Sequence, residues 1–321
     1  MPSHAPASDL VALKRIALYT LTNETRKVPH TAEQFPRAER LDAEVLARAL
    51  FEQTGTHLTV EGSCAGGQVG TAYVRWPDGH RAVLKWRPHF TVGELRAGPL
   101  AVADRLRALG YPAPATELTA QIGHAVAIVQ ELLPGRKIDH LDRHHLDRTL
   151  ALHHIQADAL ADRLDIPAYN LYLRSDGPGY CLHEPLRRFS RRTAALEHRI
   201  AAIGAEHPEC LPGCDAVHGD LHPGNILAAG GNITGVVDWD GTARGDHRFD
   251  LVVLRFGIHP NKADHEVARH LDKLLDDIPE AILRPAWAHM SLRMTDWAIR
   301  HFPPYEVNLA LAEQRLPVLR R

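Results

Sequence analysis

The spacing of apolar residues changes character along this chain. Across residues 38–51 the apolar side chains recur at helical spacing, and Gly55 then ends the predicted helix. Residues 57–131 mostly show the alternation of apolar and polar side chains that is typical of strands. Helical spacing returns after Asp139 and continues to the end of the chain. The sequence therefore predicts a sheet-rich segment followed by a mainly helical one.

Five strands and one helix are predicted in the sheet-rich segment. The second and third strands are joined by Pro77-Asp78-Gly79, and an Asp-Gly pair is a strong signal for a hairpin turn. The helix is expected over residues 91–109, because Gly110 follows as a stop signal. The predicted strands are residues 57–63, 71–76, 80–86, 115–121 and 124–131.

The remaining chain predicts two long helices, over residues 140–164 and 184–203, and later a short hairpin. The hairpin has arms at residues 225–229 and 232–238 around a Gly230-Gly231 turn. We expect two domains, residues 1–133 and 134–321, divided near Pro134-Gly135. Residues 1–10 are rich in Pro, Ser and Ala and are expected to be disordered.

Composition narrows the class of protein. The net charge of −2 over 321 residues implies no general attraction to nucleic acid or to a membrane surface. We find no secretory signal and no apolar run long enough to cross a bilayer. Four cysteines do not make a disulfide framework in a chain of this length. A reduced, cytoplasmic protein is expected.

Two short segments carry side chains suited to phosphoryl transfer. The first, residues 217–227, contains Asp220 and Asn225 five positions apart, and the second, residues 236–240, contains Asp238. Phosphoryl transfer needs a carboxylate to orient the attacking hydroxyl, and magnesium to hold the phosphates. The predicted hairpin brings Asp238 back beside Asn225, so the two can supply the hard oxygen ligands that magnesium prefers.

These segments resemble the aminoglycoside phosphotransferase and choline kinase family, whose members are distant relatives of protein kinases. His218-Gly219-Asp220 followed by Asn225 is similar to the catalytic loop of that family, and Asp238 stands at its metal-binding position. The resemblance implies that Asp220 is catalytic, that Asn225 and Asp238 hold Mg²⁺, and that His218 and Asp250 support the loop. It also implies an α+β fold of the protein-kinase-like two-lobe class, with a five-stranded antiparallel sheet in the N-terminal nucleotide-binding lobe and a mainly helical C-terminal catalytic and substrate-binding lobe.

The resemblance further implies a lysine on the third strand that holds the nucleotide phosphates. Lys85 is one of only six lysines in the chain and falls on that predicted strand. Glu94 is the only acidic residue between Lys85 and Asp104, so it is the candidate partner of Lys85 on the next helix. It lies earlier in that helix than is usual in the family.

Other residues are candidates for contacting the nucleotide. A glycine-dense turn at residues 62–70 lets backbone N–H groups approach phosphates, which makes Ser63, Gly66 and Gly67 candidates. The turn has neither the Walker ending nor the Rossmann spacing. Gln130 and Leu132 fall where the resemblance places the lobe-connecting hinge, and they are our candidates for backbone contacts to adenine.

The function indicated is transfer of the γ-phosphate of ATP, with GTP not excluded, to a hydroxyl of a small molecule. The first candidate acceptor is an antibiotic, as in an aminoglycoside-like resistance kinase. The alternative is a metabolic kinase acting on a sugar, an amino alcohol or an amino acid. A third alternative, a non-catalytic nucleotide-binding module, has no need of Lys85, Asp220, Asn225 and Asp238 together. We expect a monomer or a homodimer that binds neither nucleic acid nor membrane.

Overall fold

The computed structural model describes residues 41–64, 70–258, 262–301 and 305–316. They form two compact units, one of residues 41–92 and 116–130 and the other of residues 93–115 and 131–316. The predicted disorder of residues 1–10 lies outside the described residues. The expected domain division between residues 133 and 134 stays a prediction.

The first unit is built on the predicted sheet. Its strands follow the order β1-β2-β3-β5-β4, and the pairs β1–β2, β2–β3 and β4–β5 are antiparallel. The expectation of a five-stranded antiparallel sheet is confirmed. The strands are β1 (Thr59–Ser63), β2 (Ala72–Arg75), β3 (Arg81–Pro88), β4 (Thr116–Ile122) and β5 (Ala125–Glu131).

One helix, α1 (Ala43–Thr54), covers a face of this sheet. The side chain of Asp42 caps its first turn by accepting a hydrogen bond from the Val45 amide at 3.1 Å. Gly55 ends it in a left-handed conformation with φ of 71°, as predicted. The buried face of α1 packs on the buried face of the strands, and the residues in this core include Leu46, Leu50, Val74, Ala82 and Leu84.

The second unit is mainly helical. Within the described ranges its helices are α2 (Val92–Ala97), α3 (Pro99–Ala108), α4 (Arg143–His153), α5 (His183–Phe189), α6 (Arg191–Glu206), α7 (Phe249–Gly257), α8 (His265–Asp276), α9 (Glu280–His301) and α10 (Tyr305–Arg315). Its short strands are β6 (Arg136–Lys137), β7 (Asp215–Val217), β8 (Ile226–Ala229), β9 (Asn232–Val236) and β10 (Ala243–Gly245). They pair in the order β6-β8-β9 and as β10-β7, and the β8–β9 pair is the predicted hairpin.

Three predicted helices are shorter or divided. The helix expected over residues 91–109 is broken between α2 and α3, because Pro99 has no amide hydrogen and begins a new helix after Gly98. The helix expected over 184–203 is broken at Ser190, whose side chain caps α6 by accepting from the Thr193 amide. The helix expected over 140–164 ends at His153 and is followed by a single 3-10 turn, His154–Gln156.

The core of the second unit surrounds α7. Phe249 and Phe256 of this helix are fully buried, and the Phe256 ring contacts the buried Trp287 ring of α9 with centroids 4.7 Å apart. This packing holds α7 in the core, and the first turn of the helix contains Asp250. In the described part of the chain, no helix is both long enough and apolar enough to cross a membrane.

Candidate active site

The loop after β7 contains the predicted catalytic motif. The Asp250 carboxylate accepts hydrogen bonds from the backbone of this loop. This carboxylate, in the first turn of α7, is fully buried. Its two oxygens accept the backbone N–H groups of His218 at 2.7 Å and Gly219 at 2.8 Å, and the side chain of Gln156 donates to it at 2.7 Å. Burial raises the pKa of Asp250, while these hydrogen bonds and His218 oppose the rise. Asp250 therefore lies where the predicted support role requires it.

Gly219 allows the loop to make this turn. Its φ is +76°, in the left-handed region, and a Cβ atom at this position would lie 2.6 Å from Cε2 of Tyr169. The Tyr169 ring has little room to move because it packs against Phe249, with ring centroids 4.8 Å apart. A side chain at position 219 would thus be strained in the backbone and would collide with Tyr169.

Asp220 is held by side chains on two sides. Nδ2 of Asn225 donates to the backbone carbonyl and to Oδ2 of Asp220, both at 2.9 Å. Nη2 of Arg293 donates to Oδ1 at 2.5 Å. The side chain is nonetheless 30% exposed, so the carboxylate can be reached from outside. Burial by itself raises the pKa of Asp220, but the charge of Arg293 and the interactions with His222 and His218 together outweigh burial and hold that pKa well below its usual range.

Arg293, on α9, was not predicted from the sequence. Besides Asp220, it binds the catalytic loop through Nη1, which donates to the Gly219 carbonyl at 2.6 Å. Burial by itself lowers the pKa of Arg293, but Asp220, Tyr169 and Cys181 together raise it above its usual value, so the guanidinium stays charged. One signal was available in the sequence, since Arg293 is the only Lys or Arg between Arg284 and Arg300 in an otherwise largely apolar stretch.

Two histidines of the loop have different surroundings. Nδ1 of His218 accepts the Asp220 amide at 3.2 Å, and its Nε2 lies 3.1 Å from the Val237 carbonyl and can donate to it. Burial lowers the pKa of His218, so the ring is neutral and supports the loop. His222, which was not predicted, accepts the Gly224 amide through Nδ1 at 3.1 Å, and its Nε2 lies 3.6 Å from Oδ2 of Asp220.

The β8–β9 hairpin connects Asn225 with Asp238. Ile226 pairs with Val236, and the next amide, that of Val237, donates to the Asn225 carbonyl at 2.9 Å. Asp238 follows with φ of 70° and ψ of 55°, a left-handed backbone that is uncommon for a residue other than glycine and that often marks a functional site. Because Nδ2 of Asn225 binds Asp220, its Oδ1 faces elsewhere. An amide oxygen and a carboxylate are a donor set that fits Mg²⁺.

The first unit contains the predicted lysine. Lys85 lies on β3 and is 8% exposed. Side chains alternate along a strand, so Lys85 is on the opposite face of the sheet from Leu84, which packs in the core with α1. Glu94 lies in the first turn of α2. The pairing of Lys85 with Glu94 stays a prediction.

The remaining nucleotide candidates occupy strand ends. Ser63 ends β1 opposite Ala72, whereas Gly66 and Gly67 lie outside the described residues. Gln130 is buried near the end of β5, and Leu132 directly follows that strand. Their contacts to a nucleotide stay predictions.

Comparison with known proteins identifies the class of this chain. A model of the phosphotransferase enzyme family matches residues 63–290, which is more than half of the sequence. The chain belongs to this family and is an enzyme, a small-molecule phosphotransferase. No curated protein sequence matches it.

Solved structures show the same fold. A thermostable mutant of aminoglycoside phosphotransferase APH(4)-Ia, in a ternary complex with AMP-PNP and hygromycin B, has a TM-score of 0.58 at 15% identity over 85% of this chain and 96% of that chain. Another mutant of that enzyme, with ADP and hygromycin B, has a TM-score of 0.53 at 16% identity over 84% and 96% of the two chains. A proposed fructosamine-3-kinase from Thermobifida fusca has a TM-score of 0.51 at 18% identity over 84% and 98%. The expected protein-kinase-like fold class is confirmed.

Proposed function

We propose that this phosphotransferase moves the γ-phosphate of ATP to a hydroxyl group of a small molecule, and that Asp220 positions the hydroxyl. The observation that carries the proposal is the state of the Asp220 carboxylate. It is ionised because Arg293 lowers its pKa, it is oriented by Asn225, and it is 30% exposed. AMP-PNP and ADP in the complexes of the related fold support ATP as the donor, with GTP as an alternative.

The chemistry follows from these contacts. The acceptor hydroxyl donates a hydrogen bond to Asp220, its oxygen forms a bond to the γ-phosphorus, and the bond from that phosphorus to the β,γ-bridging oxygen breaks to release ADP. The hydroxyl proton goes to Asp220. A carboxylate of lowered pKa is a weak base, so its main contribution is orientation, and the proton moves late. This suits phosphoryl transfer, whose transition state is loose.

The remaining predicted residues would hold the donor. Asn225 and Asp238 would hold Mg²⁺, which when bound offsets the charge of the phosphates. Lys85, partnered by Glu94, would bind phosphate oxygens as a point charge. Backbone groups of the glycine-dense turn and of residues 130 and 132 would contact the rest of the nucleotide. A cytoplasmic location and a monomer or homodimer also stay predictions.

Two acceptor classes have support. An aminoglycoside-like antibiotic is one, because APH(4)-Ia, an enzyme of similar fold, binds hygromycin B in its ternary complexes. A metabolic hydroxyl compound is the other, and the contact between Arg293 and Asp220 favours it. Polycationic aminoglycosides need an excess of acidic groups, whereas here a guanidinium already neutralises Asp220.

Release of ADP from Mg–ATP tests this proposal. The acceptors are a panel of aminoglycosides, macrolides, peptide antibiotics, sugars, hydroxy acids and amino alcohols, and phosphorus NMR identifies the product. We expect ADP release that depends on one acceptor class and that falls at least about a hundredfold in Asp220→Asn. The control is Asp147→Asn, an exposed carboxylate on α4, which should keep full activity. ADP release that needs no hydroxyl compound, or full activity in Asp220→Asn, would contradict the proposal.

A further inference from the structure

We propose that the acceptor carries a negatively charged group, a carboxylate or a phosphate, near the hydroxyl that is phosphorylated, and that Arg293 binds this group. The inference rests on the proposed function of Asp220. The inference depends on the position of the Arg293 guanidinium. Arg293 lies on α9, and its guanidinium donates hydrogen bonds to the Gly219 carbonyl and to Oδ1 of Asp220 in the catalytic loop.

An acceptor hydroxyl that binds Oδ1 of Asp220 lies close to Arg293. Nη2 of Arg293 lies 2.5 Å from Oδ1 of Asp220. A hydroxyl that hydrogen-bonds Oδ1 lies about 2.7 Å from that oxygen, so it cannot be further than about 5 Å from Nη2. A group on the neighbouring carbon of the acceptor is then within reach of the same guanidinium.

Arg293 has donors left for such a group. A guanidinium has five N–H donors, and Arg293 uses one on Gly219 and one on Asp220. Its side chain is 23% exposed and lies beside Asp220. A planar guanidinium can donate two parallel hydrogen bonds to the oxygens of one carboxylate or phosphate group. A neutral acceptor has no such group.

A second carboxylate of α9, that of Asp296, is already paired with an arginine. One turn further along α9, Asp296 is completely buried, and Arg300 binds both of its oxygens. Its negative charge is therefore already balanced. The Arg300 guanidinium also lies 5.1 Å from the centre of the Tyr180 ring. Asp296 is therefore not available to an ammonium group of the acceptor, whereas the remaining N–H donors of Arg293 can bind a carboxylate or a phosphate.

A matched series of acceptors tests the inference. Glycerol, glycerate, glycerol 3-phosphate and 3-amino-1,2-propanediol share a three-carbon skeleton and differ in charge, and the two anions separate a carboxylate from a phosphate. For the wild type we expect kcat/KM at least about tenfold higher for one anion than for glycerol, and lowest for the amine, with most of the difference in KM.

Variants of Arg293 separate charge recognition from the positioning of Asp220. In Arg293→Met, the ratio of kcat/KM between the anion and glycerol should fall to within about threefold of one. Any loss caused by a displaced Asp220 affects all acceptors and cancels in this ratio. Arg293→Lys keeps the charge and should restore part of the preference. The control is Arg284→Met on the same helix, whose partner is Glu206 and which is 41% exposed. It should leave the ratio unchanged.

Binding measurements separate failure of this inference from failure of the proposed function. In the presence of Mg–ADP, glycerate or glycerol 3-phosphate should raise the Tm of the wild type more than the amine does, and this difference should vanish in Arg293→Met. If the anions bind through Arg293 but no acceptor stimulates ADP release, the proposed function is wrong and the anion site stands. If the amine binds or reacts as well as the anions, or if Arg293→Met keeps the preference, the inference is wrong.

Discussion

Arg293 and Asp220 form an ion pair between α9 and the catalytic loop, across 73 positions of sequence, with 2.5 Å between Nη2 and Oδ1. The pair has two consequences. It keeps the Asp220 carboxylate ionised, because the neighbouring positive charge lowers its pKa. On the proposed function it also places a cation beside the group that positions the acceptor, so Arg293 would both orient the carboxylate and select the acceptor.

Asp250 should be essential for the shape of the loop. In Asp250→Asn, an amide NH₂ replaces one of the oxygens that accept the His218 and Gly219 amides, so two donors face each other in a buried site. We expect a loss of about 2–4 kcal/mol in the free energy of unfolding and a fall in kcat. Urea unfolding and ADP release measure the two effects. The exposed Asp162→Asn is the control, and equal stability of the two variants would refute the support role.

Gly219 should not tolerate alanine. Gly230, in the β8–β9 turn, also has positive φ, at +56°, but a Cβ there meets nothing within 4 Å. Gly230→Ala should therefore cost only backbone strain of about 1 kcal/mol and keep activity. Gly219→Ala adds the clash with Tyr169, so we expect a larger loss of stability and at least about a hundredfold loss of kcat. Urea unfolding and ADP release on both variants test this. Similar losses in Gly219→Ala and Gly230→Ala would contradict the prediction, because they would mean that the Tyr169 ring moves aside.

The sequence predicted elements whose signals are local. The Asp78-Gly79 turn, the stop at Gly55 and the β8–β9 hairpin each depend on a few adjacent residues, and all three occur in the structure. The breaks in the helices were missed although their signals are also local. Pro99 can begin a helix as well as interrupt one, and the Ser190–Thr193 cap lacks the Glu or Gln that usually marks a capping box.

The candidate site was predictable only in part. His218, Asp220, Asn225 and Asp238 lie within 21 consecutive positions, so a single motif brings them together. The contact of Arg293 with that motif depends on how α9 packs in the second unit, and no short-range pattern specifies that packing. For this reason the acceptor class had to be inferred from the structure.

Lys85 should act as a point charge on the nucleotide phosphates. Lys85→Ala should lower kcat/KM for Mg–ATP by orders of magnitude. Lys85→Arg should not restore it, because a planar guanidinium does not replace a compact ammonium group. Steady-state kinetics with Mg–ATP as the varied substrate measures this. Lys273→Ala, which removes an exposed lysine on α8, should behave as wild type. Full activity in Lys85→Arg would mean that Lys85 has no such role.

Stability should depend on pH through Asp215. This carboxylate is 16% exposed and contacts Nδ1 of His247 at 2.6 Å. Burial by itself raises the pKa of Asp215, but its hydrogen bonds with His247 and with the Asp158 amide lower it to about 2, against about 4 in an unfolded chain. A lowered pKa stabilises the fold above about pH 4, and this contribution is lost as the pH falls toward 2.

Comparison with Asp215→Asn tests that dependence. The wild type should exceed this variant by about 2 kcal/mol in the free energy of unfolding above pH 5, and the difference should shrink as the pH is lowered to 3. Urea unfolding at several pH values gives the difference, and Asp276→Asn, at an exposed carboxylate, should show no such trend. A difference that is constant with pH would contradict the account.

The central claim is that Asp220 acts on the acceptor whereas Asn225 and Asp238 hold the metal, and calorimetric titration of Mg–ATP tests it most directly. We predict that Asp220→Asn binds Mg–ATP with nearly the wild-type Kd while its kcat falls at least about a hundredfold, because the amide carries no charge and is a poor base. Asp238→Ala and Asn225→Ala should weaken Mg–ATP binding itself, because each removes an oxygen ligand. If Asp220→Asn loses Mg–ATP affinity as severely as Asp238→Ala does, Asp220 is a metal ligand and the roles assigned here are wrong.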